Sequence, residues 1–245
     1  MILPGIRQLI LLLFPLVMLA ACAQPEWVPE DASAPPLPER VYRDAARQGE
    51  AVYQVDPQRS RVFIRTGRDG PMKAAGHDHV ITSADVEGLV LLSDDPGRSR
   101  ADLRLPLQQL VVDDPVYRER FGLEPDLPET AIDGTTRNMQ DKVLESNLFP
   151  WATASVRVLS MQDAQAELDV TVTVHGMSLN YTVPADIDIG RDALRVSGSM
   201  TVQHSDFGLT PFSAAGGLLR VAEDIEIVFE IVASKRGQKG DSDLN

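Results

Sequence analysis

The sequence predicts an all-β domain, an antiparallel meander of eight or nine strands closed into a barrel, and three observations carry that expectation. The first is strict alternation. Ala166, Leu168, Val170, Val172 and Val174 alternate with Glu167, Asp169, Thr171 and Thr173, as in a strand buried on one face. The second is recurrence of that period at 62–66, 103–107, 152–158, 179–189, 194–202 and 225–231, with apolar runs at 52–55 and 86–92. The third is turn chemistry between the runs, where His175-Gly176 and Gly190-Arg191-Asp192 are placed to close hairpins. Closing the meander removes its exposed edges, and at eight strands the interior is wide enough for side chains or one ligand.

The elements in chain order begin with a leader. Arg7 precedes an apolar run from Leu9 to Ala21, and Leu19-Ala20-Ala21-Cys22 has the form of a lipoprotein cleavage site. Residues 1–21 are therefore expected to be a signal peptide, too short once cleaved to cross about 30 Å of hydrocarbon. Cys22 is the single cysteine. A thiol is the nucleophile that takes a diacylglyceryl group, so Cys22 is the expected lipidation site. Ala23 stands where inner-membrane retention favours Asp, which points to the outer membrane, facing the periplasm. Residues 22–50 carry Pro25, Pro29, Pro35, Pro36 and Pro38 among acidic and small residues and read as an extended tether. Residues 51–235 form one domain, and 236–245 a polar tail.

Within the domain the alternation stops between Asp113 and Phe149. Pro115, Pro125 and Pro128 lie there, and Met139, Val143 and Leu144 recur at helical spacing within Thr135–Leu148, so one or two short helices are expected as an insertion at a barrel end. The formal net charge of −13, with Lys and Arg scattered, argues against nucleic acid or anionic headgroups as partners. A single cysteine excludes an intramolecular disulfide, so packing must supply the stability.

Tyr53-Gln54-Val55-Asp56-Pro57 with Ser60, the run Leu144–Pro150, Val170-Thr171-Val172-Thr173-Val174-His175-Gly176, and Ser205-Asp206-Phe207-Gly208 occur in an order and spacing that resembles the YceI-like family. The resemblance spans about residues 51–234 and implies an eight-stranded, lipocalin-like antiparallel barrel with a helical insertion. It further implies a polyisoprenoid or other long-chain amphiphile in an internal tunnel. The lipoprotein leader and tether depart from many relatives, which are soluble periplasmic proteins.

The inward positions agree with an apolar ligand: Ala154, Val156, Val172 and Met200 are aliphatic, and small residues such as Ala154 and Gly198 leave room near the axis. Phe207 and Phe212, in a segment with Gly208, Gly216 and Gly217, either line a tunnel mouth or plug the barrel end. The alternative is that the same aliphatic side chains interdigitate and fill the interior. His77 and His79 of Gly76-His77-Asp78-His79 share one face of an extended backbone and read, with His204, as a polar rim or headgroup contacts, or, with a third ligand from His204, Asp78 or His175, as metal ligands. His175 reads as a solvated turn residue.

His204-Ser205-Asp206 are sequence neighbours and cannot form a linear relay, and no phosphate loop, serine elbow or His-Glu helix motif is present. The expectation is a non-catalytic carrier without cofactor or metal. The competing expectation is a packed barrel acting as a metal-binding or protein-interaction accessory through its rim histidines.

Overall fold

The computed structural model describes residues 33–236, so the leader, Cys22, the tether up to residue 32 and the tail from residue 237 lie outside the described residues. The strands are β1 (Ala51–Val55), β2 (Arg61–Asp69), β3 (His79–Ser83), β4 (Glu87–Leu92), β5 (Arg100–Pro106), β6 (Val111–Val112), β7 (Trp151–Gln162), β8 (Gln165–Val174), β9 (Met177–Ile189), β10 (Ala193–Gln203), β11 (Ser213–Ala214) and β12 (Leu219–Lys235). All pairings are antiparallel, and β4-β5-β7-β8-β9-β10-β12 run as neighbours in chain order.

The other edge of β12 closes the barrel. β1 pairs with its end at Tyr53↔Lys235, and β2 continues along the same edge from Arg61↔Glu230 to Arg220↔Asp69. Beyond them β4 pairs with β1 and β3 with β2, and then β5 with β4 and β6 with β3. The pairs β1/β2, β3/β4 and β5/β6 are thus three interrupted strands. With β7, β8, β9, β10 and β12 they make an eight-stranded closed barrel, to which β11 adds a short flap on β12.

Local chemistry explains the breaks and turns. Between β1 and β2 the fully buried Ser60 replaces the missing ladder: its Oγ donates to the Val232 carbonyl at 3.1 Å and accepts from the Val232 N–H at 3.0 Å. At the β8–β9 hairpin both His175 and Gly176 have positive φ, 53° and 75°, the two-residue turn whose twist matches the flanking strands.

Two helices cover outer faces. α1 (Glu39–Arg47) lies where an extended tether was expected, which corrects that reading for residues 39–47. Its anchor is Tyr42, 0% exposed, packed with Val52, Leu89 and Leu91 on the outside of β1 and β4. The Tyr42 hydroxyl donates to Asp102 Oδ2 at 2.6 Å, and Arg100 and Ser155 complete the shell of that carboxylate. Burial, reinforced by Asp102, pushes the Tyr42 hydroxyl well above the ordinary phenol range. The insertion supplies α2 (Pro115–Arg120), whose Tyr117, with the adjoining Phe121, sets ring edges on Phe63 of β2 at 5.1 and 5.2 Å. It then supplies α3 (Glu129–Asn138), which runs into a wide π-turn at Met139–Val143. The expected helix over 135–148 thus starts earlier, after Pro128, and ends before Glu145, whose φ of 44° is left-handed.

Replacing Tyr42 by Ala should cost about 3 kcal/mol through the cavity left behind, read as a lower denaturant midpoint, and expose α1 to limited proteolysis. Tyr42→Phe, which loses only the bond to Asp102, should cost about 1 kcal/mol.

Candidate functional site

The side chains that alternate inward from these strands do not meet across the axis. Ile64, Leu103, Val156, Val196, Ile227 and Phe229 sit mid-strand and face inward, yet each is only partly buried, because they border an internal void. That void measures about 490 Å³, within the range of small-molecule sites, and its wall is almost wholly hydrocarbon. At the end of the barrel that carries the insertion, exposed Ala75 and His77 also line it and mark its opening. Three segments border that mouth: the β2–β3 connection, α3 with its π-turn, and the β10–β12 connection.

Ala154, Val156, Val172, Met200, Phe207 and Phe212 all line the cavity. Gly198 does not. It faces inward in register with Phe229, but a Cβ there would lie 2.7 Å from that ring and 2.7 Å from the Pro184 carbonyl oxygen. The space left by Gly198 is therefore already occupied by the Phe229 ring, which corrects its expected place on the cavity wall. Phe207 is 3% exposed and belongs to the core, whereas half-buried Phe212 sits at the mouth beneath Lys142 of the π-turn, whose Nζ lies 5.3 Å from its ring centre. Next to Phe207, burial and the bond to Asp206 push the Tyr181 hydroxyl up to about 12.

The histidines separate into different roles. His77 is exposed at the opening. His204 is buried and lines the cavity, and its Nδ1 donates to the Glu223 carbonyl at 3.1 Å. The acid of its neighbouring triplet, Asp206, accepts from the Gln203 N–H and the Tyr181 hydroxyl, so no relay forms. His175 is not merely solvated: its Nε2 lies 2.8 Å from Glu145 Oε2 and its ring packs on Phe149 at 4.1 Å, which ties the β8–β9 hairpin to the end of the insertion. Among the described residues no three of His, Cys, Asp and Glu gather as a metal site.

His79 begins β3, lines the cavity, and is held from behind. Its Nδ1 lies 2.6 Å from Oδ2 of the fully buried Asp113, whose Oδ1 accepts from the Val80 N–H at 3.1 Å and from Arg118 Nη1 at 2.6 Å. Arg118, 2% exposed, spends further donors on the carbonyls of Asp78 and Glu124. Burial alone would push the Asp113 carboxyl up, but the bonds and charge from His79, Val80 and Arg118 outweigh it and hold Asp113 below the ordinary carboxylate range. Asp113 is thus an ionised acceptor, and His79 donates to it from Nδ1. This clasp joins the mouth strand β3 to α2.

A closed eight-stranded antiparallel barrel with a hollow apolar interior defines the lipocalin-like class. Within that class the chain belongs to the YceI-like family, since the YceI-like domain matches residues 53–233. The fold is similar to that of BcnA from Burkholderia cenocepacia, at 12% identity, TM-score 0.54, and coverage of 73% of this chain and 98% of that one. It is also similar to a polyisoprenoid-binding domain from Saccharophagus degradans implicated in plant cell wall breakdown, at 14% identity, TM-score 0.52, and coverage of 75% and 98%. No curated protein matches the chain.

Asp113→Asn should cost about 3 kcal/mol near neutral pH, because it leaves Arg118 buried without its counter-charge. The depressed carboxyl stabilises the fold fully above its unfolded value of about 3.9. That stabilisation fades as pH falls through the lower folded value. Denaturant midpoints of the two proteins should therefore differ by a constant amount above about pH 5 and approach one another as the pH falls from there.

Proposed function

We propose that the protein is an exported lipoprotein, acylated at Cys22 and held on the periplasmic face of the bacterial outer membrane. Its barrel binds and carries one long-chain hydrophobic ligand, polyisoprenoid or fatty-acyl in type, and catalyses no reaction. The observation that carries this reading is the apolar void of about 490 Å³, open at one end of the barrel. A chain buried there gains about 0.8 kcal/mol per methylene removed from water. The polyisoprenoid-binding description of the similar Saccharophagus degradans domain supports the same ligand class. For the anchor, support comes from Leu19-Ala20-Ala21-Cys22, from the single cysteine and from Ala23 after it. The mechanism is passive: the chain lies in the barrel, its polar end faces the mouth, and the insertion with the β10–β12 connection frames entry.

The test uses the full chain purified from bacterial membranes in mild detergent. Denaturing intact mass should show acylated Cys22, and native mass with organic extraction should show one long-chain molecule per barrel. Ala154→Phe, which fills the cavity from its wall, should remove that molecule while leaving the protein folded. Unmodified Cys22 would overturn the anchor. A barrel that arrives empty and takes up neither added polyprenol nor fatty acid would overturn the carrier.

A further inference from the structure

Two polar side chains face the hydrocarbon interior side by side near the mouth. Thr66 of β2 pairs in register with His79 of β3 on one side and with Ile225 of β12 on the other, and Ile225 in turn pairs with Val202 of β10. These four residues form one inward-facing row, and all four line the cavity. Thr66 Oγ1 is buried with no hydrogen-bond partner. An orphaned hydroxyl of this kind is costly, and a bound polar group would relieve the cost. In His79 the Nδ1–H is committed to Asp113, and Nε2 has no partner among the described residues.

We infer that Thr66 and His79 form a head-group site, and that the head they take is a hydroxyl at the end of a long hydrocarbon chain. The ligand O–H donates to His79 Nε2, and its oxygen accepts from Thr66 Oγ1–H. This rests on the carrier reading and specifies it. The preference for a neutral head follows from charge balance. Arg118 already matches the single carboxylate charge of Asp113, and with the His79 Nδ1–H given to that carboxylate, Nε2 is the ring atom left to meet the head. Of the cationic groups bordering the same end, Arg68 pairs with Asp78 at 3.5 Å and Arg220 with Asp69 at 2.7 Å, Lys142 lies over Phe212, and Lys73 and Arg137 are exposed to solvent. His204, at the end of β10, has its Nδ1 engaged by the Glu223 carbonyl. The two arginines that line the cavity at this end are therefore already committed to carboxylates, which disfavours a phosphate or carboxylate head inside it.

Displacement of the neutral fluorophore N-phenyl-1-naphthylamine from the full chain separates the two bonds. Hexadecan-1-ol donates and accepts, 1-methoxyhexadecane only accepts, and hexadecane does neither. The alcohol should bind about tenfold tighter than the ether, reporting His79, and the ether about fivefold tighter than hexadecane, reporting Thr66. Thr66→Val should erase the second step, keep the first, and leave the melting temperature no lower, because it removes an unpaired buried hydroxyl. His79→Leu should erase the first step. Should that variant fail to fold, the wild-type ratios and Thr66→Val still decide. Equal displacement by all three ligands would overturn the head-group site while leaving the carrier intact. Tighter binding of hexadecyl phosphate or hexadecanoate than of the alcohol would overturn the hydroxyl. Failure of every ligand to displace the fluorophore would overturn the carrier reading and the site together.

Discussion

Closure of the sheet along β12 is the constraint on which everything else depends. One 17-residue strand holds β10 on one edge and both β1 and β2 on the other. A strand of that length spans the barrel from end to end, so two short strands can share its edge. The break between them is bridged by Ser60, whose hydroxyl stands in for a ladder partner at Val232. Once the sheet is closed no long edge is left for another chain, and the enclosed interior is fixed in width by strand number. Whether that interior is a core or a chamber is then decided by side-chain volume. Here Ala154, Val156 and Val172 are too short to meet their counterparts, and the ring of Phe229 lies in the space vacated by Gly198.

The closed barrel also separates two uses of polar residues. On its outer face, buried charges fasten covering helices: Asp102 receives Tyr42 of α1, and Asp113 receives Arg118 of α2. Each carboxylate is surrounded by several donors, the condition under which a buried charge is tolerated rather than ruinous. Inside, the wall is mostly hydrocarbon, and near the mouth Asp113 also orients His79 toward the chamber. The same carboxylate thus fastens the insertion and sets which imidazole nitrogen the interior meets.

Much of this was legible in the sequence, and the failures have physical causes. Strands with one wet face, such as β8, announce themselves by alternation. β3 and β6 do not, because β3 is buried along nearly its whole length and β6 has only two residues. α1 was hidden by its charged sequence, in which Tyr42 and Ala45 are the buried residues. A signal for it existed in Leu89-Val90-Leu91-Leu92, an unbroken apolar run with aliphatic side chains on both faces, whose outer pair Leu89 and Leu91 requires a cover. Parity places Gly198 on the correct face but does not reveal that a neighbouring ring fills the gap. The Asp113–Arg118 pair was illegible because the chain has 36 acidic and 23 basic residues, and nothing local marks the two that fold inward.

The central claim is that the barrel is hollow and lined with hydrocarbon. Crystals of the protein held under xenon pressure test it without any assumption about the natural ligand, since xenon enters dry apolar cavities and is seen directly by its scattering. The account predicts xenon inside the barrel, against wall residues such as Val156 and Met200, with the wall itself unmoved. An interior without xenon, in which those side chains interdigitate across the axis, would contradict it.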